Sequence, residues 1–152
     1  MLNFDINGLI KHQRNRYPVL LIDQISDAVP LQYATGVKCF TYNEWFFPGH
    51  FDDEPNVPGF VQIECLAQTF IMTFLCMEEY TGMKTNFVSV NNVKFKRKIV
   101  PGETLTIKAT LKSFKRGIAV GSVTSSVNDQ EACSGEFVVT VPEIFSRFRP
   151  KA

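Results

Sequence analysis

Between residues 104 and 112, apolar Leu105, Ile107, Ala109 and Leu111 alternate with Thr104, Thr106, Lys108, Thr110 and Lys112. A period of two is the pattern of a strand with one face on a core and one in water. Weaker alternation runs through residues 87–96 and 133–141, and Pro101-Gly102, Arg116-Gly117 and Asn128-Asp129 supply turn formers between such stretches. The chain after Gly82 thus predicts about four antiparallel strands in a meander. From Phe60 to Tyr80 the pattern is helical and apolar on most faces, with Pro58-Gly59 at the entrance and Gly82 just beyond the end. Residues 42–59 have no regular period. They mix Trp45, Phe46 and Phe47 with Pro48, Gly49, Pro55 and Pro58, predicting a long loop of the kind that tends to carry function. Upstream, polar residues 7–16 predict a short surface helix or turn ended by Tyr17-Pro18. Val19–Ile22 then predicts an extended segment, and Tyr33–Thr41 a second strand. The sum is an α+β domain spanning residues 1–152, a curved antiparallel sheet wrapped around one long central helix.

Composition narrows the classes. With 152 residues, 45% hydrophobic and 20% charged, the chain suits one domain with a real core, and its net charge of +1 gives no general reason to expect nucleic acid. Residues 60–77 are nearly long enough to span a bilayer, but Gln62, Glu64 and Gln68 interrupt them, which favours a helix buried in a soluble sheet over a membrane span. Cys39, Cys65, Cys76 and Cys133 form no C-x-x-C pair and sit in apolar stretches, as free thiols in a reducing cytoplasm would. Asp5 and Asn7 interrupt any apolar leader, so the working chain is expected to start near Met1. No phosphate-cradling glycine motif is present.

Glu64 is the most informative residue, because Phe60, Val61, Ile63, Cys65, Leu66 and Ala67 surround it with apolar groups. Burial disfavours a carboxylate and favours a neutral acid able to donate a proton. The competing reading is a first-turn acid interacting with the helix dipole. Gln68 shares its helical face and either holds that carboxyl, touches a ligand or merely bonds backbone. His50 stands in the aromatic loop between Pro48-Gly49 and Phe51, where a rigid turn can aim an imidazole as a general base; a structural or exposed histidine is the alternative. Phe51 is a candidate substrate contact. Gly59 either offers an unpaired first-turn N–H to a carbonyl oxygen or only permits a turn. His12, on a polar surface segment, reads as structural or solvent-exposed. Asp52, Asp53 and Glu54 follow His50, but no second histidine stands at ligand spacing, so no metal is expected. Lys94, Lys96, Arg97 and Lys98 form a basic cluster, either a solvated face or a docking patch for an acidic carrier or a phosphate.

Four stretches carry a resemblance: R-Y-P-V-L-L-I-D at residues 16–23, F-F-P-G-H-F at 46–51, P-G-F-V-Q-I-E-C-L-A-Q at 58–68, and N-V-K-F-K-R at 92–97 followed by Pro101-Gly102. In order and spacing they resemble the FabZ-type 3-hydroxyacyl-(acyl-carrier-protein) dehydratases over roughly residues 14–140. The resemblance implies a hotdog fold and a homodimer, often a trimer of dimers. It implies that His50 is the base and Glu64 the acid, facing each other across the dimer interface. Gly59 would then offer its N–H to the thioester carbonyl, and Gln68 would match a glutamine on the same helix. It implies a thioester substrate on acyl carrier protein or coenzyme A, and no cofactor. A related dehydratase-isomerase group carries aspartate at the helix position, so Glu64 points to plain dehydration. The chain departs from the pattern at Asn15, where histidine is usual, at Lys98, where proline is common, and across Asp52–Val57 beside the expected site. A hotdog acyl-thioesterase and a non-catalytic acyl-binding subunit share the fold. Thioesterases generally lack the histidine of P-G-H-F, and retention of both His50 and Glu64 weighs against a binding subunit.

Overall fold

The structure, a computed structural model, describes residues 1–151. Strand β1 (Leu2–Phe4) and helix α1 (Ile6–His12) precede β2 (Gln24–Val29) and β3 (Tyr33–Cys39). After the long loop come α2 (Gly59–Leu75), a 3-10 turn (Glu78–Tyr80), β4 (Asn86–Phe95), β5 (Thr104–Lys115), β6 (Ile118–Val127), β7 (Gln130–Thr140) and the short α3 (Pro142–Phe145). One seven-stranded antiparallel sheet runs in the order β1-β2-β3-β5-β6-β7-β4, and α2 packs on β3, β5, β6 and β7. This is the expected α+β arrangement of a sheet around one helix.

The alternation in β5 does what its pattern requires: Leu105, Ile107, Ala109 and Leu111 are buried and the residues between them are more exposed. The hairpins on either side of β6 turn through Arg116-Gly117 and Asn128-Asp129, all four with positive φ, the backbone twist that two-residue hairpins demand. Helix α2 is buried along most of its length, with Phe70, Phe74, Leu66 and Met72 fully covered. Its close seating depends on glycine in the sheet below. A Cβ on Gly36 would lie 2.2 Å from Thr69 Oγ1, and one on Gly121 2.6 Å from the Phe70 ring, both inside van der Waals contact.

Three expectations are corrected. Val19–Ile22 is not a strand, and β2 starts only at Gln24; Pro18 has no N–H to give, and the Leu21 and Ile22 N–H groups are taken by the Gln68 side chain rather than by a neighbouring strand. Helix α2 stops at Leu75 rather than Tyr80, because Met77 is extended and a 3-10 turn follows. The last four strands are not a simple meander: β5, β6 and β7 are, but β4 lies on the far side of β7 and forms the sheet edge. The β1 strand gave no sequence signal, at three residues too short for any alternation to register.

Candidate active site

Residues between β3 and α2 are ordered by a chain of tight turns, with the N–H of Glu44, Phe47 and His50 each donating to a carbonyl three residues back. The loop is anchored at its start by the buried Lys38, whose Nζ lies 2.7 Å from Glu44 Oε1 and 3.9 Å from Asp23 Oδ1. Trp45 Nε1 donates to Pro18 O at 3.1 Å, and Phe46 and Phe47 insert into the core. At the far end, Val57 N donates to Ile99 O at 2.8 Å, and Lys98 pairs with Glu54 at 2.8 Å. Two of the noted departures, Lys98 and the Asp52–Val57 loop, thereby meet in one ion pair, and the lysine holds the Glu54 carboxyl below the usual carboxylate range.

His50 is half-buried, and its Nδ1 lies 2.9 Å from Asn56 O. A carbonyl can only accept, so Nδ1 carries the hydrogen and Nε2 is left with its lone pair free, the arrangement a general base needs. Asn56 is buried, and its own amide donates to Glu54 O at 3.1 Å. His50 shares a cavity of about 430 Å³ with Asn56, Val57, Gly59, Gln62 and Phe95. Gly59 opens α2, where the first N–H groups have no partner in the helix ladder. A Cβ there would meet the Phe95 ring at 3.0 Å, so glycine lets the ring and the helix start share that wall. Phe51 does not line this cavity: its ring lies 4.7 Å from the His50 ring and is 62% exposed.

Glu64 lies on α2 in a second cavity, of about 550 Å³, together with Asn15, Ala67, Gln68, Ile71 and Val139. Burial raises its carboxyl above the usual range, and the bond from Gln68 opposes part of that rise. Gln68 is saturated: Oε1 accepts from Leu21 N at 2.9 Å and Ile22 N at 3.3 Å, while Nε2 donates to Val19 O at 2.6 Å and Glu64 Oε1 at 3.0 Å. The glutamine thus does two of the things foreseen for it, holding the carboxyl and bonding backbone. Within one chain His50 and Gly59 line one cavity, Glu64 and Gln68 the other.

Of the basic cluster, Lys96 pairs with Glu131, Arg97 forks onto both oxygens of Glu103 at 3.0 and 2.6 Å, and Lys98 takes Glu54. All three line the His50 cavity, with much of their charge locally matched. His12 is buried, bonds Gly8 O and packs on Phe4, so of the two roles left open for it the structural one holds and the exposed one does not. The buried Cys65 thiol is pushed far up by desolvation, and those of Cys76 and Cys133 to about 11, so none is a ready thiolate. Among the described residues no three His, Cys, Asp or Glu side chains cluster as metal ligands, and no helix is long and apolar enough to cross a membrane. Phe70, Met72 and Phe74 are core and line neither cavity, while Phe60 is exposed beside Trp45.

A sheet curved around one buried helix, with an acid on that helix and a histidine at its entrance, defines a hotdog-fold protein. The chain belongs to the FabA-like domain family, which matches residues 14–136. Similar proteins include the 3-hydroxyacyl-(acyl-carrier-protein) dehydratase FabZ of Clostridium novyi, 37% identical over 137 residues that cover 90% of this chain and 94% of that protein. The FabZ of Roseiflexus castenholzii is 39% identical over 139 residues, covering 91% and 95%. Among solved structures, the dehydratase heterocomplex ApeI:P from Xenorhabdus doucetiae shares the fold with a TM-score of 0.76 at 14% identity, over 88% of this chain and 90% of that one.

Proposed function

We propose that this chain dehydrates 3-hydroxyacyl thioesters carried on acyl carrier protein to trans-2-enoyl thioesters, in the cytoplasm, as a homodimer whose sites each use His50 of one protomer and Glu64 of the other. The observation that carries the reading is where the two cavities fall along β4. This edge strand has a neighbour on one side only and exposes Phe87, Val88 and Phe95. The His50 cavity is lined by Phe95 at the end of β4, and the Glu64 cavity by Asn86 and Phe87 at its start; these ends pair with Cys133 and Thr140 of β7, which sets them about 23 Å apart at the rise of an extended strand. Pairing β4 with its two-fold copy lays the end of one strand beside the start of the other. The same operation covers the exposed apolar edge and brings the base-bearing cavity of one protomer to the acid-bearing cavity of its partner.

The chemistry then runs on the chain's own groups. Gly59 N–H, at the positive end of α2, stabilises enolate character on the thioester oxygen and so acidifies the α-proton. His50 Nε2 removes that proton while its Nδ1–H stays on Asn56 O. Glu64, whose partial burial favours the protonated acid, gives its proton to the β-hydroxyl, which leaves as water as the double bond forms.

The test is hydration of a crotonyl thioester, on carrier protein and on coenzyme A, followed by loss of enoyl absorbance with free thiol monitored in parallel. Hydration by the wild type, lost in folded His50→Ala and Glu64→Gln without thiol release, supports the assignment. Thiol release in place of hydration would point to a thioesterase, and no reaction across several chain lengths to a binding subunit; either result overturns the reading.

A further inference from the structure

Glu64 receives two hydrogen bonds, and both fall on the same oxygen. Gln68 Nε2 donates to Oε1 at 3.0 Å and Asn15 Nδ2 donates to Oε1 at 3.3 Å; among the described residues no bond reaches Oε2. Amide hydrogens can only be donated, so both favour Oε1 as the carbonyl-like oxygen of the neutral acid and leave its hydrogen to Oε2. The Gln68 amide cannot rotate to change this, because its own oxygen is held by two backbone N–H groups.

Asn15 comes to the carboxyl from a different part of the fold, the turn between α1 and β2. Its backbone is held by Arg16, whose guanidinium donates to Ile10 O at 2.8 Å, Gln13 O at 2.7 Å and Asn15 O at 2.8 Å. These are carbonyls near and past the end of α1, and one planar fork gathers all three. Asn15 is therefore presented to Glu64 by a framework that Arg16 closes on one side and Gln68 on the other.

We propose that Asn15 is a positioning residue for the reaction, holding Glu64 Oε1 as the accepting oxygen so that Oε2 carries and delivers the acid proton. The inference rests on the dehydratase reading above. The charged groups facing Glu64 across its cavity are Arg14, Arg16 and Lys84. Arg14 donates to Gly82 O and Arg16 is spent on the three carbonyls, while Lys84 is exposed. No other carboxylate lines that cavity among the described residues. Asn15 stays uncharged at every pH, so it supplies a donor that does not itself titrate. Its bond favours the carboxylate over the neutral acid, and losing it moves the Glu64 titration upward.

The experiment compares wild type with Asn15→Leu, which keeps the shape and removes the donor, and Asn15→His, which returns an N–H. Dehydration of a 3-hydroxybutyryl thioester is followed across pH, and the Glu64 carboxyl is titrated by carbon-13 NMR, assigned by its absence in Glu64→Gln. Asn15→Leu is expected to lower kcat about tenfold with KM within about twofold. Its Glu64 titration is expected to move upward as a donor to the carboxylate is lost, and Asn15→His is expected to recover most of the lost kcat. Asn15→Asp serves as the second variant should the leucine chain not fold: its carboxylate beside Glu64 is expected to push that titration higher still. An unchanged kcat and titration in Asn15→Leu, a change in KM alone, or an unmoved titration in Asn15→Asp would overturn the proposal. A wild type that dehydrates nothing would sink the dehydratase reading instead, and the NMR titration separates the two failures because it needs no turnover.

Discussion

Replacing Gln68 with leucine removes four hydrogen bonds at nearly constant volume. Two of the orphaned groups matter most, the N–H groups of Leu21 and Ile22, because both residues are buried and the Gln68 side chain is their acceptor. Val19 is half exposed, so its carbonyl can turn to water. A buried donor without a partner costs about 1–3 kcal/mol. The two N–H groups share one oxygen and the second bond is long at 3.3 Å, so the sum falls at about 2–4 kcal/mol. A chain of this size loses roughly 2–4 °C of Tm for each kcal/mol, which predicts a fall of about 5–15 °C. Thermal unfolding followed by circular dichroism measures it, at matched protein concentration because self-association raises apparent stability. A loss of less than about 2 °C would refute the claim that Gln68 ties the segment before β2 to the central helix.

Gly36→Ala is expected to destabilise by about 1–3 kcal/mol, because its methyl would overlap Thr69 on α2; denaturant titration should show Thr69→Ala in the same chain recovering most of the loss, and an additive double mutant would contradict the contact. Glu64→Gln should stabilise the fold in a pH-dependent way. The half-buried carboxyl keeps its proton to higher pH than the unfolded chain does, so wild-type stability falls as pH rises from the ordinary carboxylate range toward the raised value and stays reduced above it. The Tm gain of the glutamine variant should be near zero at about pH 4 and present at about pH 8, and an equal gain at both would count against the burial argument. Val88→Glu puts a charge on the exposed β4 edge; sedimentation should then show monomer with loss of turnover, and an intact active dimer would place the interface elsewhere.

Strand β5 could be read from its sequence because one face is wet and one dry, and the two hairpins because Gly117, Asn128 and Asp129 readily take positive φ. Val19–Ile22 misled because its apolar run suits a strand equally well, and what decides its conformation is a glutamine 46 and 47 residues away from Ile22 and Leu21. The position of β4 beside β7 is likewise a matter of pairing across the chain, which local alternation does not encode. His50, Gly59, Glu64 and Gln68 stood out by residue type and surroundings. Their supports did not: Asn56, which sets the histidine tautomer, is an ordinary loop asparagine in sequence, and Arg16 belonged to a matched motif with nothing to connect it to the acid. Asn15 was visible only as a departure, and its contact with Glu64 spans 49 residues. Phe51, a candidate substrate contact, is exposed in the single chain and lines neither cavity.

Mixing two dead enzymes tests the shared site most directly. His50→Ala and Glu64→Gln chains, each expected to be inactive alone in 3-hydroxyacyl thioester dehydration, are unfolded together and refolded as a mixture. If each site takes its histidine from one protomer and its glutamate from the other, every mixed dimer holds one site with both native groups, and random pairing returns roughly a quarter of wild-type activity. If both groups of a site come from the same protomer, every site in every mixed dimer lacks one of them. Mixtures with confirmed mixed dimers and no activity would contradict the account.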